Sequence, residues 1–431
     1  MIVRNMSWLM GGQVLRLVLG FLVGAWLTRS LGVDATGVLG TMISIGSMLG
    51  FVAEFGLRQI LIKEISTAPE CGALVFGTGV RLLAGLGIAA YLLGVAITGF
   101  MGSEMAWVTA LLVFSPLLFS PHLAFLARWD AMHQARRGAQ LGLLALIVAS
   151  VAKIITILTH GGINGAAAAI AIETIFVALG AFALGMRLGW LRDLLQFDPK
   201  VAKPLLTQAF PHFLAHCGTL LLLRIDQLMI LPMRGKTEAG LYAAATRLSE
   251  LVYMIGPAIV LTFLPKLTAL HRDDPAAYRR QCGTLFRIMT CAGYAVIACW
   301  WIAGSWVVKL LYGDAFAGCT PVLSVHCVAA LASLHGSLLT AFLVVEGRAK
   351  LGALATYAGV IVNVLLNLWW IPQHGALGAA WATAITYFAV WFGGPMLMRP
   401  LRWLALEQMR SLLAPLTLPF NWRESLRPLR S

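Results

Sequence analysis

The chain has 431 residues, of which 59% are hydrophobic and only 12% charged, and its mean hydropathy is +0.83. A soluble domain carries about a quarter charged residues, so this composition excludes an ordinary globular enzyme and points to a membrane protein. The net charge of +14 is spread over many short loops, which argues for membrane topology and against nucleic acid as a partner.

Apolar stretches of about 20 residues recur from end to end without the period-two alternation of a β-barrel, so the expected class is an all-α polytopic membrane protein. Twelve spans can be drawn: 7–29, 36–58, 74–100, 105–127, 139–160, 163–187, 205–231, 239–265, 286–312, 319–345, 350–371 and 376–398. The first is too long for a signal-peptide core and is read as an uncleaved span. With the N-terminus in the cytoplasm, 23 basic residues fall in cytoplasmic segments and only Arg29, Arg234 and Lys236 on the other side. That asymmetry fits twelve spans with both termini inside. The break from Arg187 to Lys203 divides the chain into a six-helix lobe (1–190), a linker (191–203) and a second six-helix lobe (204–400). A basic tail (401–431) follows. In it, Leu401, Leu404, Ala405, Met409, Leu412 and Leu413 are expected to form the apolar face of an interfacial helix, and Glu407, Gln408, Arg410 and Ser411 the polar face.

The two lobes echo each other. Gly162-Ile163-Asn164-Gly165-Ala166-Ala167 opens span 6 much as Gly375-Ala376-Leu377-Gly378-Ala379-Ala380 opens span 12. Val33-Asp34-Ala35-Thr36-Gly37 leads into span 2 as Lys236-Thr237-Glu238-Ala239-Gly240 leads into span 8. Such pairing is the signature of a transporter built from related bundles.

Ionisable groups at bilayer depth cost on the order of 3 kcal/mol on insertion scales and usually face a bundle interior or wet cavity. Arg16, Arg81, Lys153, Arg224 and Arg247 are the candidate cationic lining, and Gln13, Glu54, Asp226, Glu250, Asn363 and Asn367 the candidate polar lining or ion-coupling set. Arg224 and Asp226 are two residues apart on one helix and point to roughly opposite faces. Small-polar stripes such as Gly20/Gly24 and Ser44/Ser47 serve helix packing equally well. Arg58 is read as snorkelling to the cytoplasmic surface, and the prolines around Pro211, Pro257 and Pro265 as kinks. His212 and His216 stand at i, i+4 but lack the further ligands of a zinc site. No Walker A loop or catalytic triad pattern is present, so no metal and no cofactor is expected.

Five stretches, in order, resemble one family over nearly the whole chain. They are Leu31–Gly37; Glu54-Phe55-Gly56-Leu57; Arg224-Ile225-Asp226-Gln227 with Gly240-Leu241-Tyr242-Ala243-Ala244; Leu311–Leu323; and Asn363–Asn367 leading to Ile371-Pro372 and Gly378-Ala379-Ala380. They are similar to the Wzx-type polysaccharide and O-antigen flippases of the MOP (multidrug/oligosaccharidyl-lipid/polysaccharide) exporter superfamily. The resemblance implies two pseudo-symmetric six-helix lobes, alternating access and translocation of an undecaprenyl-diphosphate-linked oligosaccharide across the bacterial inner membrane. It implies membrane lipids and other polysaccharide assembly proteins as partners, and a monomer. The lipid II flippases of the superfamily carry two more spans than this chain accommodates. The MATE antiporters, which move cations, remain the alternative. The excess of Arg and Lys over Glu54, Glu173, Asp226 and Glu250 favours an anionic substrate. Membrane polymerases and ligases carry a large external loop that is missing between these spans.

Overall fold

The computed structural model describes residues 2–100 and 104–413, with side chains over 18–100 and 107–413. Among the described residues every regular element is helical. In chain order they are α1 (Ile2–Glu54), α2 (Leu57–Thr67), α3 (Gly72–Phe100), α4 (Glu104–Phe114), α5 (His122–Ala131), α6 (Ala135–Leu158), α7 (Gly162–Arg187) and α8 (Leu191–Leu194). There follow α9 (Pro199–Arg234), α10 (Lys236–Tyr253), α11 (Ile255–Asp273), α12 (Pro275–Tyr312), α13 (Cys319–Val345), α14 (Ala349–Phe388), α15 (Gly394–Leu397) and α16 (Arg402–Leu412). Ten helical stretches are long and apolar enough to cross a membrane. Two of them, Val18–Thr67 and Ala349–Leu397, are about twice the length a bilayer requires and reverse at Gly32 and Gly375. Counting each of these as a pair yields the twelve spans read from hydropathy.

The reversals share a backbone solution. Gly32 (φ 77°, ψ 175°) between spans 1 and 2 has almost the dihedrals of Gly235 (φ 86°, ψ −173°) between spans 7 and 8. This region of φ/ψ space is essentially closed to residues with a Cβ. Gly162 and Gly375, at the other repeated turn, both have positive φ. The internal echo in the sequence is therefore an echo of turn geometry.

By contact clustering the chain divides into two compact units, Met1–Arg224 and Ile225–Ser431. The division falls inside α9. The first turns of α9 contribute Leu205 and Ala209 to the core of the first unit, where they join Leu57, Leu61, Phe76, Leu83, Phe125, Trp129 and Trp190. The core of the second unit gathers Phe286, Met289, Leu334, Leu338, Phe342, Leu401 and Leu404. In the second unit α13 is the pillar. Two-thirds (67%) of its most apolar stretch is buried, against 17% for α12.

Several helices outrun the hydropathy limits. Span 2 continues to Thr67, span 7 begins at Pro199, span 8 continues to Asp273 and span 9 begins at Pro275. Hydropathy marks the membrane-embedded stretch, while the helix runs on into polar sequence because each added residue gains its own backbone bond. The tail helix also differs from expectation. α16 buries Leu401-side residues Leu404 and Ala405 together with Gln408 and Ser411, and leaves Leu406, Met409 and Leu413 exposed. Two of the four expected polar-face residues, Gln408 and Ser411, turn inward because they find partners there, while Arg410 stays exposed and pairs with Glu407 at 2.8 Å. Gln408 Nε2 donates to the Trp391 carbonyl at 3.0 Å, next to a π-helical turn (Ala389–Gly393). Ser411 lies 3.0 Å from Thr290 Oγ1, which lies 3.0 Å from His335 Nε2. Burying polar groups is tolerated when they are paired in this way.

Candidate functional site

Among the described residues, a buried carboxyl in the second unit brings several sequence candidates together. α9 carries Asp226 inward, and its side chain is 2% exposed. Asp226 Oδ2 accepts from Tyr242 Oη at 2.6 Å and from Thr383 Oγ1. Asp226 Oδ1 accepts from Asn367 Nδ2 at 2.5 Å, and the same amide nitrogen donates to Asn363 Oδ1 at 2.9 Å. Spans 7, 8, 11 and 12 thus converge on one carboxylate. Donors on both carboxyl oxygens offset the cost of burying this group.

Local sequence explains the convergence. Asn363 and Asn367 are one helical turn apart and share a face. The Gly235 turn folds α10 back along α9, so Tyr242 returns to the level of Asp226. Gln227 Nε2, donating to the Ala239 carbonyl at 3.2 Å, ties the two helices beside it. The Gly375 turn does the same for spans 11 and 12. There the freed Ala376 N–H donates to Glu238 Oε2 at 2.7 Å, so span 8 caps span 12. A Cβ on Gly375 would overlap that carboxylate.

His326 on α13 stands behind Tyr242, edge to face, with ring centroids 5.2 Å apart. The amide oxygen of Asn367, the hydroxyl of Thr386 and Nε2 of His326 are buried without hydrogen-bond partners. One carboxylate ringed by neutral amide and hydroxyl oxygens has the chemistry to hold a proton or a small hard cation.

The remaining candidates disperse. Arg16 and Gln13 lie outside the residues whose side chains are described. Arg81 is exposed on α3, donates to the Leu195 carbonyl at 3.0 Å and sits 5.1 Å over the Phe197 ring, pinning the linker. Lys153 on α6, Arg224 on α9, and Arg247 and Glu250 on α10 are half-buried. Glu54 is the last residue of α1. It precedes a break in span 2 where Phe55 (φ 50°) and Gly56 (φ 70°) both take positive φ. Arg58, read from sequence as snorkelling, pairs with Asp130 at 2.8 Å.

The first unit has an open surface groove of about 730 Å³ on one face of α9, lined by Pro199, Lys200, Lys203, Pro204, Thr207 and Gln208, most of them exposed. Lys63 of α2 reaches the same face, donating to Gln208 Oε1 at 2.9 Å. Sequence reasoning assigned these lysines to topology alone. Tyr242 carried only a motif signal, and Thr383, three residues past the repeated Gly-Ala-Ala segment, carried none. The signal available for Tyr242 was its place after the Gly235 turn, on the helix that folds back along the one carrying Asp226.

These features define a multi-pass helical membrane protein built of two compact helical units. The model of the polysaccharide biosynthesis protein family matches residues 2–271, and the chain belongs to that family. No curated protein sequence matches it. Among solved structures it is similar to the inward-facing conformation of a multidrug resistance MATE family transporter of the MOP superfamily, with TM-score 0.70 and 17% identity over 90% of this chain and 95% of that one. It is also similar to the lipid II flippase MurJ in an inward closed conformation, with TM-score 0.74 and 13% identity over 98% and 96%. A third is a MOP superfamily transporter from Pyrococcus furiosus, with TM-score 0.60 and 17% identity over 96% and 95%. At these identities the likeness is one of fold.

Proposed function

We propose that the chain is a Wzx-type flippase. It moves an undecaprenyl-diphosphate-linked oligosaccharide from the cytoplasmic to the periplasmic leaflet of the inner membrane by alternating access, with both termini cytoplasmic. The observation that carries this reading is a polysaccharide-biosynthesis family match on a transporter fold. The lysine-lined groove on α9 supports it. The positive-inside count puts that groove at the cytoplasmic end, where a diphosphate headgroup would first meet protein, and ammonium groups suit phosphate. Lys153 and Arg224 in the first unit and Arg247 in the second, all half-buried, are each a further candidate contact for the diphosphate under this reading. The Asp226 corner is the coupling site. A cation or proton taken up there neutralises a charge that is otherwise expensive to move through the bilayer, and so biases one state of the cycle.

Deleting the gene tests the substrate class. Lipid-linked repeat units should accumulate at the cytoplasmic face and surface polysaccharide should be lost. The buried carboxylate itself favours a second reading, a MATE-like antiporter of cationic drugs. A deletion that changed only sensitivity to such drugs would establish that reading instead.

A further inference from the structure

Span 8 is broken. α10 ends at Tyr253, Met254 intervenes, and α11 begins Ile255-Gly256-Pro257. Proline has no N–H, so the i→i−4 ladder loses a bond here. The break is seated on α13, where a Cβ on Gly256 would come within 2.6 Å of Ser337 Oγ. Tyr242 and Tyr253 lie three turns apart on the same face of α10, and one residue of α13 fills the space between them. His326 packs edge to face on Tyr242, and its Nδ1 and backbone carbonyl each lie 3.3 Å from Tyr253 Oη. Tyr253 also meets the ring of Tyr387 at 6.2 Å, one turn beyond Thr383 on span 12. Since Tyr242 and Thr383 both hold Asp226, the side chains close a ring from Asp226 through Tyr242, His326, Tyr253 and span 12 back to Asp226.

His326 is 3% exposed, and its Nε2 has no hydrogen-bond partner. A dry, unpaired nitrogen in a packed core costs free energy, about 1–3 kcal/mol for a typical polar group. A residue there solely to fill space would be apolar.

We propose that His326 is a positioning residue. With Tyr253 it forms a strut that transmits cation occupancy of the Asp226 corner to the break in span 8. This rests on the reading of Asp226 as a coupling site. When a cation occupies the corner it competes for the oxygen that holds Tyr242. The phenol ring shifts, its contact with His326 shifts with it, and Tyr253 is released at the hinge. Packed contacts carry such coupling only where an element has two discrete arrangements, and the span 8 break is that element.

The test uses the full-length protein in proteoliposomes with spin labels at Lys236 and Arg272, the exposed ends of span 8. The distance between them is measured as sodium concentration or pH is varied, and sodium binding is measured separately. The wild type should show a cation-dependent change in distance, and Asp226→Asn should lose both the change and the binding. His326→Ala should keep cation binding and lose the distance change. His326→Gln, which retains a polar side chain, should restore part of it, and Tyr253→Phe, which removes one oxygen and no volume, should reduce it. A His326→Ala protein whose distance change equals that of the wild type would overturn the proposal, as would a wild type whose distance responds to neither cation. Both results read conformation, so they stand apart from whether a lipid-linked glycan is the cargo.

Discussion

The two lobes share a backbone and differ in chemistry. Counted from the turn glycines, Asp226 stands before Gly235 where Val23 stands before Gly32, and Tyr242 follows Gly235 where Leu39 follows Gly32. Likewise Asn367 and Thr383 flank Gly375 where Ile154 and Ile170 flank Gly162, and Asn363 corresponds to Ser150. Tyr242, Asn367 and Thr383, which bond to the Asp226 carboxyl, are replaced by aliphatic side chains in the first lobe, and Asn363 behind them by a serine. The duplicated turns put the same four helix positions at the same distances from their glycines in both lobes. In one lobe those positions carry hydrocarbon, and in the other they build a polar site around a carboxyl. A repeat therefore fixes where side chains meet, and substitution afterwards decides which copy does chemistry.

The largest effect should come from breaking the Asp226 corner. Asp226→Ala strands the donors of Tyr242, Thr383 and Asn367, each at a cost of about 1–3 kcal/mol. Surface polysaccharide should disappear and the melting temperature in detergent should fall sharply. The matched Val23→Ala should cost about 1–2 kcal/mol as a packing defect and leave transport intact. Equal loss from both would show that the corner is merely structural.

The turns can be compared next. Gly375→Ala must adopt a positive φ, displaces the Glu238 carboxylate and leaves the Ala376 N–H without its acceptor. Gly32→Ala meets no atom within 4 Å and suffers the backbone strain alone, about 1–3 kcal/mol. Chemical denaturation of the two variants should rank Gly375→Ala as the less stable. A third pair isolates a single bond. Thr383→Val should cost about 1.5–3 kcal/mol, as expected for a lost bond to a charged group. Ile170→Val in the first lobe should cost about 0.5–1.5 kcal/mol. Thermal melts of the two variants check the difference.

The smallest effect concerns another pair of turns. The second lobe turns at Gly347 (φ 69°) after Glu346, and the first at His133 (φ 56°) after Met132. The Glu346 carboxyl is raised above the usual range by burial, and Arg348 at 3.4 Å acts the other way. A raised carboxylate destabilises the fold when ionised. Stability from this site is complete below the ordinary glutamate range and is lost as pH rises through the folded-state value. Glu346→Gln should therefore melt higher than wild type near neutral pH, with the difference closing as pH falls towards the ordinary carboxylate range. A gap that widened on acidification would contradict the burial argument.

The span count, the two reversals and the lobe duplication were legible in the sequence, because hydropathy and repeated turn residues report them directly. Asp226, Asn363 and Asn367 stood out as polar groups in apolar runs, but nothing local said they meet. They belong to spans 7 and 11, and only the fold joins them. Thr383 follows the repeated turn as an ordinary helix residue. Arg81 carried the same intramembrane signal as Asp226, yet it lies against the linker carbonyl of Leu195. Charge in an apolar run shows that a partner exists without showing which one. The inward turn of Gln408 and Ser411 was illegible for the same reason, since their partners are a π-turn carbonyl and Thr290 elsewhere in the chain.

The most direct test of the Asp226 corner as the coupling site for lipid-linked oligosaccharide is a flipping assay with purified full-length protein in proteoliposomes. It would follow an undecaprenyl-diphosphate-linked glycan under an imposed sodium or proton gradient, for wild type and Asp226→Asn at equal protein content. The account predicts that wild type moves the glycan faster with the gradient than without it, and that Asp226→Asn shows no response to the gradient. Gradient-dependent flipping by Asp226→Asn at the wild-type rate would contradict it.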